Sequence, residues 1–110
     1  MKMPGFERAY IEQDKILGYL LSNTHPVGYL KARFFNRLGF DCHSADRFSL
    51  ALLEIAQTNE VFKVVTGEFG IKYIIHGTLI TPLNMPVTIV TVWICEKPNA
   101  DPRLITTYPL

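Results

Sequence analysis

Cysteine is scarce in this 110-residue chain, and the two present, Cys42 and Cys95, show no framework spacing. Two free thiols in a reducing compartment is the simpler reading. No apolar run approaches the roughly 18 residues needed to span a membrane. The opening Met1-Lys2-Met3-Pro4-Gly5 lacks the apolar stretch and small-residue cleavage site of a secretory signal. A soluble, cytoplasmic protein without a membrane partner is therefore expected. No internal repeat, low-complexity tract or linker divides the chain, so residues 1–110 are expected to form one domain. Also missing are a Gly-rich phosphate loop, a nucleophile elbow, a Cys-x-x-Cys pair and a His-Glu-x-x-His helix. Cys42 and His43 are adjacent, but neighbouring positions rarely ligate one metal without further ligands close by. Neither a metal nor a cofactor is expected.

Apolar residues make up 48% of the chain and charged residues 19%, a balance that folds rather than staying disordered. The formal net charge of +1 argues against a protein that coats polyanions generally. Its distribution says more than its total. Between Asp14 and Asp41 there is no acidic residue, while Lys15, His25, Lys31, Arg33 and Arg37 all lie there. Such a stretch is either a solvated helix face or a local patch able to attract phosphates.

Residues 11–22 follow a helical period with Ile16, Leu17, Leu20 and Leu21 on one side, and Pro26 breaks it. A second helix over 28–38 carries Leu30, Phe34, Phe35 and Leu38, and Gly39 ends it as a left-handed cap. Ser44 can cap a third helix, with Asp46 in its first turn and Phe48, Leu52 and Ile55 as its buried stripe. After Asn59 the period changes. Val61–Thr66, Ile71–Leu79, Val87–Cys95 and Leu104–Tyr108 are rich in β-branched and aromatic residues and are separated by Gly and Pro clusters. Short connections favour antiparallel pairing. The expected fold is α+β, three N-terminal helices packed on one face of a four-stranded antiparallel sheet.

Several residues on this frame have useful chemistry. Lys31 falls within the apolar arc of the second helix, whereas Arg33 and Arg37 point largely away. A lysine so placed either snorkels outward or finds an anion, such as a phosphate at the helix–sheet edge. In the second strand Lys72, Ile74, His76 and Thr78 share one face, and Ile71, Tyr73, Ile75 and Leu79 share the more apolar one. Lys72 and His76 then lie on the open face, where His76 suits proton transfer near neutral pH. His25 has similar chemistry in a loop. Trp93 alternates with Thr91 and Cys95 against Val90, Val92 and Ile94. It either stacks on a base from the open face or lies in the core with a partner for its indole N–H. In the last strand, strict alternation groups Thr106 with Tyr108, and Arg103 with Thr107, on opposite faces.

Three segments read together carry a resemblance: His25-Pro-Val-Gly-Tyr-Leu-Lys31-Ala-Arg-Phe-Phe35, then Phe69-Gly70-Ile-Lys-Tyr73, then Trp93 with the closing Pro102-Arg103-Leu-Ile-Thr106-Thr-Tyr108-Pro109. They resemble a family of small uncharacterised bacterial domains, common in cyanobacteria. That family has a Gly-x-x-Lys-Ala helix and a terminal Pro-Arg-Leu-x-Thr-x-Tyr strand, and is similar to the barnase–EndoU–colicin–RelE group of RNases. The resemblance implies metal-independent RNA cleavage by attack of a 2′-hydroxyl on its neighbouring phosphate, in a toxin or toxin-derived module. Carried onto this chain, it implies that Lys31 holds the scissile phosphate and Arg103 neutralises its developing charge. Thr106 would bond phosphate or ribose, and Tyr108 or Tyr73 would stack or donate a proton. His25 is the first titrating partner and His76 the second. Competing readings are a non-catalytic partner of antitoxin or immunity type, a homodimer subunit, and a small-ligand domain using the open sheet face.

Overall fold

The computed structural model describes residues 1–21 and 29–110. Four antiparallel strands, β1 (Lys63–Gly67), β2 (Gly70–Ile80), β3 (Pro86–Cys95) and β4 (Arg103–Pro109), form one sheet in the order β1-β2-β3-β4. Each strand pairs with its sequence neighbour because the links are too short for a crossover. Two of those links turn on asparagines, Asn84 at φ 62° and Asn99 at φ 65°, a residue that tolerates the left-handed conformation. The β2–β3 turn is closed by Thr81, whose Oγ1 accepts from the Met85 N–H at 3.1 Å.

The helices precede the sheet, as expected. A single 3₁₀ turn (Phe6–Arg8) leads to α1 (Gln13–Lys15), which runs on as a π-helical stretch, Ile16–Leu20. Its wider turn is visible in the Leu21 N–H bond to the Ile16 carbonyl at 2.8 Å, five residues back. A period longer than 3.6 turns Ile16, Leu20 and Leu21 inward and leaves Leu17 exposed, although regular helical spacing grouped all four. Helix α2 (Tyr29–Arg37) closes on Gly39, at φ 99°. Gly39 N–H bonds to Asn36 O, and Phe40 N–H to Phe35 O, both at 3.0 Å. This paired closure needs the left-handed residue that glycine supplies. Phe40 thereby swings back into the core.

Helix α3 (Ala45–Thr58) corrects one expectation. Ser44 stands at its N-cap position, but its hydroxyl makes no cap bond to α3. That hydroxyl instead accepts from the Asp41 N–H at 2.9 Å, while Asp41 Oδ1 accepts from His43 N–H at 2.8 Å. The reciprocal box encloses a 3₁₀ turn, Cys42–Ser44, that feeds straight into α3. At the far end Asn59 donates both its backbone and its side-chain N–H to the Ile55 carbonyl.

All three helices cover one face of the sheet. Ile16, Leu20, Phe35, Phe48, Leu52 and Ile55 pack there against Ile75, Leu79, Ile89, Trp93 and Leu104. Phe48 is the hub, its ring 4.8 Å from those of Phe35 and Phe40. Gly77 makes close approach possible, since a Cβ there would lie 2.5 Å from Ile55 Cγ2. The alternation expected for β2 holds, with Tyr73, Ile75 and Leu79 buried beneath the helices. Among the described residues no helix is long and apolar enough to cross a membrane.

Candidate functional site

The sheet face turned away from the helices is where most of the chemically useful residues meet. Its registry follows from the strand pairing. Val65, Lys72, Ile94 and Arg103 form one row across the four strands. Lys63, Ile74, Val92 and Thr106 form the next, and His76, Val90 and Tyr108 the third. Partners directly opposite one another in antiparallel strands project to the same side.

A bulge in β4 makes that arrangement possible. Val92 pairs with Thr106 and Trp93 with Leu104, so Ile105 is an extra residue opposite no partner. Strict alternation would separate Arg103 from Thr106 and Tyr108. The inserted residue resets the parity, so that Arg103, Thr106 and Tyr108 all lie on the outer face. Leu104 and Thr107 turn inward and are fully buried, with Thr107 Oγ1 donating to the Val90 carbonyl at 2.8 Å.

Lys31 reaches this part of β4 from α2. Its Nζ donates to Thr106 Oγ1 at 2.5 Å and lies 5.8 Å from the centre of the Tyr108 ring. The helix packs through Ala32, Phe35 and Leu38, which are buried, while Leu30 is exposed. Lys31 is thus at the margin of the buried arc, half-covered, with its stem along apolar surface and its ammonium at the strand. An ammonium, a hydroxyl and a phenol at one rim supply positive charge and hydrogen bonds to an oxyanion.

Across the central strand from Tyr108, His76 is half-buried and stacks on Phe62, with ring centroids 4.0 Å apart and planes within 18°. His76 and Tyr108 flank Val90, which puts their backbones about 10 Å apart at normal strand spacing. Lys63 and Lys72 are exposed on the same face. Cationic side chains and the rings of Phe62 and Tyr108 thus lie near one another here.

Other expected site residues are placed elsewhere. Trp93 is not on the open face: it is completely buried among the core residues, and its indole Nε1–H donates to Thr91 Oγ1 at 2.8 Å. Thr91 in turn donates to the Ile75 carbonyl, so the polar chain is satisfied within the core. The physical reason is that β3 is central and its valine set is also buried, which left pattern alone unable to choose a face. Tyr73 likewise faces the helices, not the open side, and is 7% exposed. Burial, with a smaller contribution from neighbouring Cys95, holds its phenol above the ordinary range.

Arg103 is on the outer face but already engaged. Its Nη2 meets Glu96 Oε1 at 2.6 Å and its Nη1 meets Glu12 Oε1 at 3.4 Å. The Glu96 hydrogen bond is the main reason its guanidinium is held even more firmly protonated than usual. Next to it, Tyr10 N–H bonds to Pro102 O and Leu104 N–H to Tyr10 O, a parallel bridge that covers the start of the β4 edge. Arg103 therefore ties the N-terminal segment to the sheet instead of offering a free phosphate fork. Sequence reasoning missed this clasp because Glu12 is distant in the chain and Glu96 meets Arg103 only across the β3–β4 turn. It also missed Lys63, which strand register alone aligns with Thr106. His25 lies outside the described residues.

The whole chain superimposes on a chain of a contact-dependent growth inhibition toxin–immunity protein complex from Klebsiella pneumoniae 342, with a TM-score of 0.72. The match covers 97% of both chains at 18% sequence identity, so the likeness is one of fold. No curated protein matches the chain. Residues 2–110 match the model of the domain of unknown function DUF6883, and the chain belongs to that family.

Proposed function

We propose that the protein is a metal-independent endoribonuclease-like domain whose substrate lies along the outer sheet face, with its phosphate at Lys31, Thr106 and Tyr108. The observation that carries this reading is the Lys31–Thr106–Tyr108 cluster, built from two elements 75 residues apart. In the proposed reaction a ribose 2′-oxygen attacks the adjacent phosphorus and the bond to the following 5′-oxygen breaks. A 2′,3′-cyclic phosphate and a 5′-hydroxyl end result. The Lys31 ammonium stabilises the added negative charge of the phosphorane-like transition state. His76 takes the proton from the 2′-hydroxyl, and Tyr108 gives its phenolic proton to the departing 5′-oxygen and regains one from solvent. Lys63, Lys72 and Phe62 hold the flanking strand by charge and stacking. Arg103 acts as a structural clasp in this scheme.

A second reading is a non-catalytic protein-interaction domain. Its support is the toxin–immunity complex in which the similarly folded chain occurs. The exposure of Val64 and Val65 on the edge strand β1 favours the same reading, since an unpaired edge accepts a partner strand.

The deciding experiment incubates purified protein with end-labelled total RNA in EDTA between about pH 5 and 9, beside Lys31→Ala and Thr106→Val. Fragments with cyclic-phosphate ends, reduced about 100-fold or more in Lys31→Ala, are the expected result. Intact RNA throughout, with the protein shown folded, would overturn the catalytic reading and favour the partner protein.

A further inference from the structure

On the helix side of the sheet, at the end away from Gly77, lies an open cavity of about 230 Å³ that the proposed RNA site does not use. The walls are largely apolar, drawn from Pro4, Ile71, Cys95 and Pro98. Tyr73 also lines it. Although that residue is 7% exposed, its hydroxyl has no hydrogen-bond partner among the described residues. It is therefore accessible to a ligand in the cavity.

The charged residues at the mouth are Arg8, Glu96 and Lys97, two of them held in ion pairs. Glu96 lines the cavity, but its carboxylate is committed to Arg103, and Asp101 is committed to Nε of Arg8. Arg8 holds its Nη2 over Gly5, which also lines the opening. Lys97, exposed in the turn closed by the Ala100 N–H bond to the Lys97 carbonyl, supplies a second cation. An apolar chamber with a phenol hydroxyl open to it, and with Lys97 and the unpaired side of the Arg8 guanidinium at its rim, fits a particular chemistry. We infer that this cavity binds a small organic monocarboxylate, its apolar body against Ile71 and Cys95 and its carboxylate bonded by Tyr73 and the Arg8–Lys97 rim. A neutral phenol can donate to that carboxylate, and burial keeps both Tyr73 and Cys95 neutral. The inference is independent of the RNA reading.

The test is a titration of ¹⁵N-labelled protein with 3-phenylpropionate, followed by amide shifts, with neutral 3-phenylpropanamide as comparator. Saturable shifts clustered at Gly70, Ile71 and the Glu96–Ala100 turn are expected, with the amide binding several-fold more weakly. Tyr73→Phe keeps the ring and should weaken binding about five- to tenfold, the effect of one hydrogen bond. Lys97→Gln, at an exposed turn where folding is not at stake, should also weaken it. No saturable shift up to about 10 mM, shifts clustered elsewhere, or equal binding by the amide and by Tyr73→Phe would each overturn the assignment.

Discussion

Adding one methyl group at Gly77 tests how closely α3 lies on the sheet. The ideal Cβ would stand 2.5 Å from Ile55 Cγ2, 2.9 Å from Ile55 Cγ1 and 3.1 Å from Asn59 Nδ2. Carbon atoms pack comfortably at about 3.5–4.0 Å, so the helix or the strand must give by about 1 Å. Overpacking of this kind costs about 1–3 kcal/mol. The reduced chain entropy of alanine offsets at most about 1 kcal/mol of it. Gly77→Ala should therefore lose roughly 1–2 kcal/mol from a total near 5–15 kcal/mol. Ile55→Ala alone leaves a cavity and should cost about 2–5 kcal/mol. In the double variant both Ile55 clashes are gone, only the milder 3.1 Å approach to Asn59 Nδ2 remains, and the new methyl occupies part of the vacated space. The double variant should then be no less stable than Ile55→Ala, a favourable coupling of at least about 1 kcal/mol. Urea unfolding followed by circular dichroism gives each value, provided the slope with denaturant is unchanged. A Gly77→Ala protein as stable as the parent, or strictly additive effects, would refute this packing of α3 on β2.

Two further outcomes follow from the core. The Tyr73 and Cys95 acids are both held above their ordinary values of 10.0 and 9.0, mainly by burial, with Cys95 adding to the first and Asp101 to the second. Their neutral forms favour the fold, so this contribution is complete below about pH 9 and is lost as pH rises towards the folded values. Tyr73→Phe and Cys95→Ala should flatten the alkaline limb of a stability–pH curve, and an unchanged limb in both would contradict it. The second concerns Trp93, which should emit as a buried indole, resist acrylamide until the protein unfolds and ignore added RNA. Thr91→Val leaves its N–H unpaired and should cost about 1–3 kcal/mol by thermal or chemical unfolding, whereas red-shifted, freely quenched native emission would count against the core placement.

Much of the architecture was legible in the sequence because it depends on local periodicity. The switch from helical to alternating patterning after Asn59, the Gly39 cap and the Gly and Pro clusters between strands all act over a few residues. Alternation in β2 also placed Tyr73, Ile75 and Leu79 beneath the helices correctly, because that strand has one clearly more apolar side. The π-helical turn defeated the same logic at Leu17, since its period differs from the one assumed.

The candidate site depended on relations that no local pattern expresses. Trp93 could be placed only once the central position of β3 was known, where both faces are buried and alternation has no contrast to report. Arg103 reads as a phosphate ligand in isolation, yet Glu12 and Glu96 converge on it from separate segments and occupy its guanidinium. The Ile105 bulge sets the face on which Thr106 and Tyr108 meet Lys31, because a single unpaired residue reverses the parity of everything after it. Periodicity thus determined which elements form and most of what they bury. Tertiary pairing decided which charges are bound into the fold and which side chains share a face, since both depend on contacts between different elements.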